Sequence, residues 1–266
     1  KLIMTILDKI IADKKVEVAI RKKLFPFEYW EASPVFERTT NSLAKELRAS
    51  KSGIIAEHKR RSPSKQNINS LLSVIDVAKG YEEAGVCGMS VLTDGKYFGG
   101  SLEDLNIARA VTNFPLLRKE FIIDEYQLIE AKAHGADVIL LIASILTREE
   151  IKRLSTFAQS LGLEVLLEAH NIEELEKSIM PSLDLFGVNN RNLKTFEVDL
   201  NTSRTLVEKI PADFVKISES GISDSATIVE LKTYGFEGFL VGENFMKTNN
   251  PGASASALIK EIEDEA

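Results

Sequence analysis

Short apolar runs alternate along the chain with longer segments in which apolar residues recur every three or four positions. The short runs are typical of buried strands, and the longer spacing is typical of helices that pack on one face. Eight strands are predicted, at 54–58, 88–92, 115–119, 138–142, 164–168, 185–189, 214–218 and 238–241. A helix is predicted to follow each strand, at 72–84, 102–111, 125–133, 149–161, 172–179, 203–210, 225–234 and 253–264.

The alternation of strands and helices predicts an α/β fold, because right-handed βαβ units build a parallel sheet. Eight units in series favour a closed (β/α)8 TIM barrel, and a doubly wound open sheet is the alternative. The length of 266 residues suits such a barrel, so we expect a single domain over 1–266.

The stretch before the first predicted strand, about 50 residues, is longer than a barrel needs. Apolar residues recur there at helical spacing among lysines and acids, namely Leu7, Ile10, Ile11, Val16 and Ala19. This pattern predicts an N-terminal helical extension over about 1–50, which packs on the barrel and covers part of one end.

Composition narrows the classes of function. The 33 basic and 40 acidic residues give a net charge of −7, which argues against general binding to nucleic acid or to an anionic membrane. No apolar run approaches the length that crosses a bilayer. The one cysteine, Cys87, cannot form an internal disulfide, and a reducing, cytoplasmic location is expected.

Charged and polar residues stand at the ends of the predicted strands. In a TIM barrel, the C-terminal strand ends and the loops after them build the active site. The residues placed there are Glu57, Lys59, Lys119, Glu168, Asn189, Arg191, Glu219 and Ser220. A single lysine or glutamate at a strand end is commonly a solvated rim charge, but charges of both signs that converge on one cavity indicate chemistry.

Two glycine-containing loops predict a phosphate site. The loops after strands seven and eight of such barrels commonly present backbone N–H groups to a phosphate. Here they read Ser218-Glu-Ser-Gly-Ile222 and Val241-Gly-Glu-Asn244. Gly221 and Gly242 would let the backbone approach the ligand closely, and Glu243 would contribute its N–H while its carboxylate points away.

Several stretches, in combination and in order, carry a resemblance to one known family. The longest read Ala56-Glu-His-Lys-Arg-Arg-Ser-Pro-Ser64, Leu117-Arg-Lys-Glu-Phe-Ile-Ile-Asp-Glu125 and Gly187-Val-Asn-Asn-Arg-Asn-Leu193. Shorter ones lie at 92–94, 98–101, 166–169, 218–222 and 240–243. Through them the chain resembles the indole-3-glycerol phosphate synthase family, from Ile6 to the terminal helix.

The resemblance implies a carboxy-lyase of tryptophan biosynthesis. Such an enzyme closes the indole ring of 1-(2-carboxyphenylamino)-1-deoxyribulose 5-phosphate with loss of CO2 and water. The resemblance implies no cofactor and no metal, and a small phosphorylated substrate is the one partner it specifies. The histidines likewise give no sign of a metal site, since His58, His134 and His170 are scattered without metal-ligand spacing. His170 is expected at the rim of the barrel.

The resemblance also assigns catalytic roles. Lys119 is expected to be the general acid that protonates the ketone oxygen during ring closure. Lys59 is expected to hold the substrate carboxylate, with Glu57 paired to it, and Glu168 to act as an acid or base when the hydroxyl leaves. Asn189 would hold Glu168 or the substrate in place. How the two lysines and the two glutamates divide the proton transfers is left open.

The remaining matching positions are expected to bind the substrate. Ser220 is grouped with the catalytic residues and also with the phosphate site, whose other members are Ser62, Gly221, Gly242 and Glu243. Further substrate contacts are expected from Phe98, Phe121, Arg191, Leu193 and Glu219. Among these, the two phenylalanines and Leu193 would form apolar walls against the aromatic ring.

Two positions depart from the pattern of the family. Gln66 stands where many members have glycine, and Glu120 stands where many have aspartate. Neither residue is a proton-transfer group. We expect Gln66 to stiffen the loop after the first strand and to change the rate of loop closure or product release.

Three other functions stay in view. A barrel such as phosphoribosylanthranilate isomerase would bind phosphate similarly, but it would be expected to use a Cys/Asp pair, and Cys87 is not at a strand end. A barrel that only binds a phosphorylated ligand would be expected to lack one of Glu57, Lys59, Lys119 and Glu168, and all four are present. A purely structural subunit fits the barrel but not its charged mouth.

Overall fold

Eight parallel strands close into a barrel in the order of the chain. A computed structural model describes residues 5–265, and its strands are β1 (Ile54–His58), β2 (Gly88–Leu92), β3 (Leu116–Lys119), β4 (Val138–Ile142), β5 (Glu164–Ala169), β6 (Leu185–Asn189), β7 (Val215–Glu219) and β8 (Gly238–Val241). Each strand pairs with the next, and β1 closes the barrel by pairing with β8, where Ala56 lies opposite Val241. The TIM barrel prediction is confirmed.

Thirteen α-helices accompany the strands within residues 5–265. They are α1 (Ile6–Leu24), α2 (Phe27–Glu31), α3 (Leu43–Ala49), α4 (Val74–Ala84), α5 (Gly95–Phe98), α6 (Leu102–Val111), α7 (Tyr126–Ala133), α8 (Arg148–Ser160), α9 (Ile172–Ser178), α10 (Asn201–Leu206), α11 (Ser225–Thr233), α12 (Glu243–Met246) and α13 (Pro251–Glu265). Within this part of the chain, no helix has both the length and the apolar character to cross a membrane.

The predicted bounds differ from the observed ones in a few places. Strand β3 is one residue shorter than predicted, β5 is one residue longer, and β7 is shifted by one residue. The helix predicted at 203–210 is α10 followed by a 3-10 helix at Val207–Lys209, and a second 3-10 helix lies at Ala143–Ile145. Short helices α5 and α12 form in loops, where four residues carry no periodic pattern that a sequence could reveal.

Alternate residues of each strand face the barrel interior and the outer helices. Ile54 and Ala56 pack in the outer core with the helices, whereas Ile55 packs inside the barrel with Leu117 and Ile217. This alternation places Glu57 on the inner face of β1, as the period of two predicts. Most inward side chains in the middle of the strands are apolar, and a cluster of charged groups stands at the C-terminal ends of the strands.

The extension before β1 covers both ends of the barrel. At the N-terminal end of the strands, Leu43 and Leu47 of α3 pack against the inward side chains of the barrel. The first turn of α3 is held by Glu164, whose Oε2 accepts the backbone N–H of Leu43 at 2.9 Å and of Ala44 at 3.1 Å. At the opposite end, α1 lies over the mouth. The prediction that part of one end is covered was therefore too narrow.

The buried face of α1 differs from the predicted one. Ile10, Lys14 and Val18 are its buried residues, one helical turn apart, whereas Val16 and Ala19 are exposed. Lys14 is only 1% exposed, and its Nζ lies 3.0 Å from Asp94 Oδ2 and 3.1 Å from Glu120 Oε1. A hydrophobic pattern misses this face because a lysine occupies its centre, neutralised by acids from distant parts of the chain.

Candidate active site

A cavity of about 380 Å³ opens at the C-terminal end of the barrel, between the strand ends and α1. Every residue that the sequence analysis assigned to catalysis, substrate binding or phosphate binding lines it: Glu57, Lys59, Ser62, Phe98, Lys119, Phe121, Glu168, Asn189, Arg191, Leu193, Glu219, Ser220, Gly221, Gly242 and Glu243. Seven of the eight strands, or the loops that follow them, contribute to this set, and β4 contributes none of it. The structure therefore brings the predicted residues together, while their roles remain predictions.

Lys119 lies at the centre of the charged groups. Its Nζ is 2.5 Å from Glu219 Oε2 and 3.6 Å from Glu168 Oε2. Burial opposes the charged form of Lys119, but the carboxylates of Glu219, Glu168 and Glu57 outweigh it and raise the pKa of the ammonium group. Lys119 is therefore a protonated donor.

Glu57 and Lys59 form a second ion pair beside the first. Lys59 Nζ donates to Glu57 Oε1 at 2.6 Å, and Ser90 Oγ donates to Glu57 Oε2 at 3.3 Å. Burial acts to raise the pKa of Glu57, yet the charges of Lys59 and Lys119 outweigh burial and hold that pKa below its usual value. Glu57 is thus an ionised carboxylate that fixes the position of Lys59.

Glu219 differs from Glu57 and Glu168 in the direction of its pKa shift. Burial, together with the charges of Glu168 and Glu57, raises its pKa to about 7 in spite of the neighbouring Lys119. Its Oε1 is buried and has no hydrogen-bond partner among the described residues. A carboxyl group with this pKa exchanges its proton near neutral pH.

Asn189 and Arg191 are joined by a hydrogen bond at the end of β6. The backbone N–H of Arg191 donates to Asn189 Oδ1 at 2.9 Å, and the Arg191 guanidinium donates to the carbonyl of Phe196 at 3.1 Å. The amide of Asn189 also contributes to the low pKa of Glu168, which burial alone would raise. That Asn189 holds Glu168 in place stays a prediction.

The loops after β1, β7 and β8 form the polar side of the cavity. Ser220 and Gly221 both have left-handed backbone, with φ of 70° and 78°. Such a conformation is uncommon for serine and persists only where the surroundings enforce it, as they often do at ligand sites. Across the cavity, Lys65 of the first loop pairs with the carboxylate of Glu243 at 2.7 Å.

The apolar side of the cavity combines predicted and unpredicted residues. The rings of Phe98 and Phe121 lie with their centroids 5.9 Å apart, and Leu193 lines the same cavity. Sequence reasoning missed the contribution of α1, whose Ile6, Leu7 and Ile10 complete the wall. Leu7 and Ile10 had been recognised as one apolar helix face, but a helical pattern does not say which surface the helix covers.

His170, expected at the rim, lies instead beside Glu168, one of the charged residues of the cavity. Its Nε2 is 3.3 Å from Glu168 Oε1, and its side chain is 10% exposed. His170, one residue beyond β5, shares strand parity with Glu168, and this parity was the available signal. Within residues 5–265, no group of three or more His, Cys, Asp or Glu side chains is arranged to hold a metal ion.

Comparisons with known proteins agree with the fold. Among solved structures, the chain is similar to 3-hexulose-6-phosphate synthase from Salmonella typhimurium, with a TM-score of 0.64 and 13% identity, over 80% of this chain and 100% of that one. It is similar to KGPDC from Streptococcus mutans, with a TM-score of 0.61 and 15% identity, over 80% and 97% of the two chains. At such low identity, these likenesses show the fold alone.

Sequence relatives identify the family. A protein of Bacteroides thetaiotaomicron named indole-3-glycerol phosphate synthase is 46% identical over 97% of this chain and 99% of its own length. Relatives of the same name from Dechloromonas aromatica and Campylobacter jejuni subsp. doylei are 42% and 40% identical, over 95% and 96% of this chain and 98% and 100% of their own lengths. The family model described as indole-3-glycerol phosphate synthase matches residues 7–258. The chain therefore belongs to the indole-3-glycerol phosphate synthase family.

Proposed function

We propose that the cavity at the C-terminal end of the barrel converts 1-(2-carboxyphenylamino)-1-deoxyribulose 5-phosphate into indole-3-glycerol phosphate, CO2 and water. The observation that carries the proposal is the burial of Lys119 between Glu219 and Glu168, beside the second pair of Lys59 and Glu57. A ring closure followed by elimination needs both a protonated donor and carboxylates that exchange protons, and this cluster supplies both.

The two sides of the cavity suit the two ends of this substrate. The apolar wall of Phe98, Phe121 and α1 would hold the aromatic ring, and the loops bearing Ser62 and Ser220 would hold the phosphate. The reacting carbons would then lie between the ends, over Lys119. Because α1 lines the cavity, the extension and the barrel would act as one catalytic unit over 1–266.

Ring closure would use the two lysines. As the aromatic carbon attacks the ketone carbon, Lys119 would give a proton to the ketone oxygen, which becomes a hydroxyl. Lys59 would balance the charge of the substrate carboxylate until it leaves as CO2. Glu57 would keep Lys59 in place through the contact of 2.6 Å.

The elimination would use the carboxyl groups. The new hydroxyl must take up a proton to leave as water, and the neighbouring carbon must lose one. Glu168 lies beside Lys119 and would give or take these protons, while Glu219 would hold the ammonium group between them. The reaction needs proton transfers and no change of oxidation state. Lysine and glutamate side chains are suited to such transfers.

The proposal also includes the location of the enzyme and its partner. The buried thiol of Cys87 and the biosynthetic names of the relatives support a cytoplasmic enzyme. A small phosphorylated substrate would be its partner, and a negative net charge is no obstacle, since Lys59, Lys119 and Arg191 make the cavity locally positive.

The test is fluorescence-detected formation of indole-3-glycerol phosphate by the purified protein, without added metal. Wild type should turn over, and Lys119→Ala should lose roughly 10²-fold to 10⁴-fold in kcat because the proton donor is gone. Lys152→Ala, at an exposed lysine of α8, is the matched control and should keep wild-type kcat. A folded wild type that binds the substrate but does not convert it would replace this proposal with a binding function.

A further inference from the structure

His170 lies between two carboxylates at the end of β5. Its Nε2 is 3.3 Å from Glu168 Oε1, and its Nδ1 is 3.1 Å from Glu174 Oε2. The backbone N–H of His170 donates to the same Glu174 oxygen at 2.8 Å. The ring does not line the cavity, so Glu168 separates it from the substrate.

Glu174 fixes the orientation of the imidazole ring. Its Oε1 accepts from Asn171 Nδ2 at 3.0 Å, and its backbone N–H donates to Asn171 Oδ1 at 2.9 Å, so the start of α9 holds it firmly. A carboxylate only accepts hydrogen bonds, and Nδ1 of His170 must therefore carry a hydrogen. The opposite nitrogen, Nε2, is left to face Glu168.

The contact between Nε2 and Glu168 requires one further proton. Nε2 is buried and forms no hydrogen bond with the described residues, so its distance of 3.3 Å from Glu168 Oε1 is a close approach and not a formed hydrogen bond. A ring protonated only at Nδ1 would turn a lone pair toward the lone pairs of an ionised carboxylate. One proton between Nε2 and Oε1 removes this conflict, whether it resides on the ring or on the carboxyl group.

We propose that His170 shares one proton with Glu168 and so acts as a positioning residue that keeps this carboxyl group supplied with a proton. The inference rests on the proposed function of Glu168 in the elimination. Nε2 gives its proton to Oε1, Glu168 gives it to the leaving hydroxyl, and water departs. The proton lost by the substrate carbon then returns through Glu168 to Nε2, so the pair ends as it began.

The surrounding charges favour an imidazolium beside a carboxylate at rest. Burial lowers the pKa of His170, but the contact with Glu174 and the charges of Glu168 and Glu219 outweigh it and raise that pKa above its usual value. Burial acts to raise the pKa of Glu168, and the charges of Lys119 and His170 outweigh it and hold that pKa low. These groups come from β3, β5, β7 and α9, the elements that surround the pair.

The kinetic test uses two conservative variants. His170→Gln keeps an N–H near Glu168 but cannot pass on a proton, so kcat should fall about tenfold, less than the roughly 10²-fold to 10⁴-fold expected of a direct proton donor. KM should stay within about twofold of wild type, since the ring does not line the cavity. Glu174→Gln removes the charge that sustains the imidazolium, so the alkaline limb of the kcat profile should move to lower pH.

A control histidine and a clear negative result complete the kinetic test. His134→Gln changes a histidine whose Nδ1 contacts the carbonyl of Glu130 in its own helix, and it should leave the pH profile unchanged. Unaltered profiles and kcat values within twofold of wild type for both His170→Gln and Glu174→Gln would overturn the proposal. A role in stability alone would lower the melting temperature without moving the pH profile.

A second measurement does not depend on turnover. NMR titration of the imidazole signals gives the pKa of His170 directly, with His58 and His134 as the other histidines of the chain. In Glu168→Gln and in Glu174→Gln, the pKa of His170 should fall by about one unit, a tenfold loss of proton affinity, while that of His134 stays constant. An unchanged pKa in Glu168→Gln would refute the shared proton, and this result stands whether or not the wild type catalyses the proposed reaction.

Discussion

At the scale of single residues, two glycines make room for the buried carboxylates. A methyl group on Gly187 of β6 would lie 2.2 Å from Glu219 Oε1, and one on Gly242 would lie 2.7 Å from Glu57 Oε1. Real Cβ atoms do not approach oxygen so closely, so any larger residue would push the carboxylate away. The positions of Glu219 and Glu57 thus depend on the absence of a side chain at Gly187 in β6 and at Gly242 directly after β8.

Replacing Gly187 should damage catalysis more than stability. In Gly187→Ala, Glu219 would be displaced from Lys119, and we expect kcat to fall by about tenfold or more because misplaced catalytic groups are costly. Gly85→Ala is the control: a methyl group there has open space, but its φ of 79° should cost roughly 1–2 kcal/mol of stability. Steady-state kinetics beside thermal unfolding separate the two effects, and a Gly187→Ala enzyme with wild-type kcat would disprove the steric argument.

Single residues also show how far the sequence could predict the site. Strand parity and the rule that TIM barrels act at their C-terminal ends were sufficient to select Glu57, Lys119 and Glu168. The role of Gly187 was out of reach, because only the register between β6 and β7 brings it beneath Glu219. The contact of His170 with Glu174 depends on the first turn of α9, whose geometry no spacing rule supplies.

At the scale of elements, a buried lysine fixes α1 over the mouth. Lys14 joins α1 to Asp94 after β2 and to Glu120 after β3. Asp94 also caps α5, which carries Phe98, and Glu120 follows Lys119 directly. One ammonium group therefore couples the apolar wall of the cavity to two of the strand ends below it.

Removal of the Lys14 charge should loosen α1. Lys14→Met would leave Asp94 and Glu120 buried with less compensation, and we expect a loss of about 3 kcal/mol in the free energy of unfolding. KM should rise, because Ile6, Leu7 and Ile10 would no longer be held against the cavity. Urea unfolding and substrate titration measure both effects. Lys15→Met, at the exposed neighbouring lysine, should change neither, and equal behaviour of the two variants would contradict the assignment.

The elements were predicted more closely than their placement. Strand bounds agree within one residue because short apolar runs and turn residues are local signals. The extension was recognised as helical, but its division into α1, α2 and α3, and its cover of both barrel ends, depend on contacts with residues far along the chain. Glu120, noted only as a departure from the family pattern, proves to be one of those contacts.

At the scale of the whole molecule, an exposed ion pair spans the mouth between the first and last loops. Lys65 and Glu243 are each 44% exposed at their side chains, so solvent screens the pair and it opens at little cost. Gln66 follows Lys65 in an exposed part of the loop. We therefore expect the loop to open when substrate enters or product leaves.

Turnover should depend on solvent viscosity if motion of this loop limits the rate. We expect kcat to fall as glycerol is added, and Gln66→Gly to alter both kcat and the size of that dependence while leaving the proton-transfer groups intact. A polymeric viscogen, which raises bulk viscosity without slowing small motions, is the control. Turnover that ignores glycerol in the wild type would exclude loop motion as the slow step.

Helices α1 to α3 are synthesised before any strand of the barrel, since synthesis proceeds from the N-terminus. Their anchors come much later: 109 residues separate Arg21 from Glu130, and 121 separate Leu43 from Glu164. Leu43 and Leu47 have no place to bury until β5 and its neighbours exist. These helices are therefore synthesised before the strands against which they pack, and their apolar faces gain their native cover only when those strands exist.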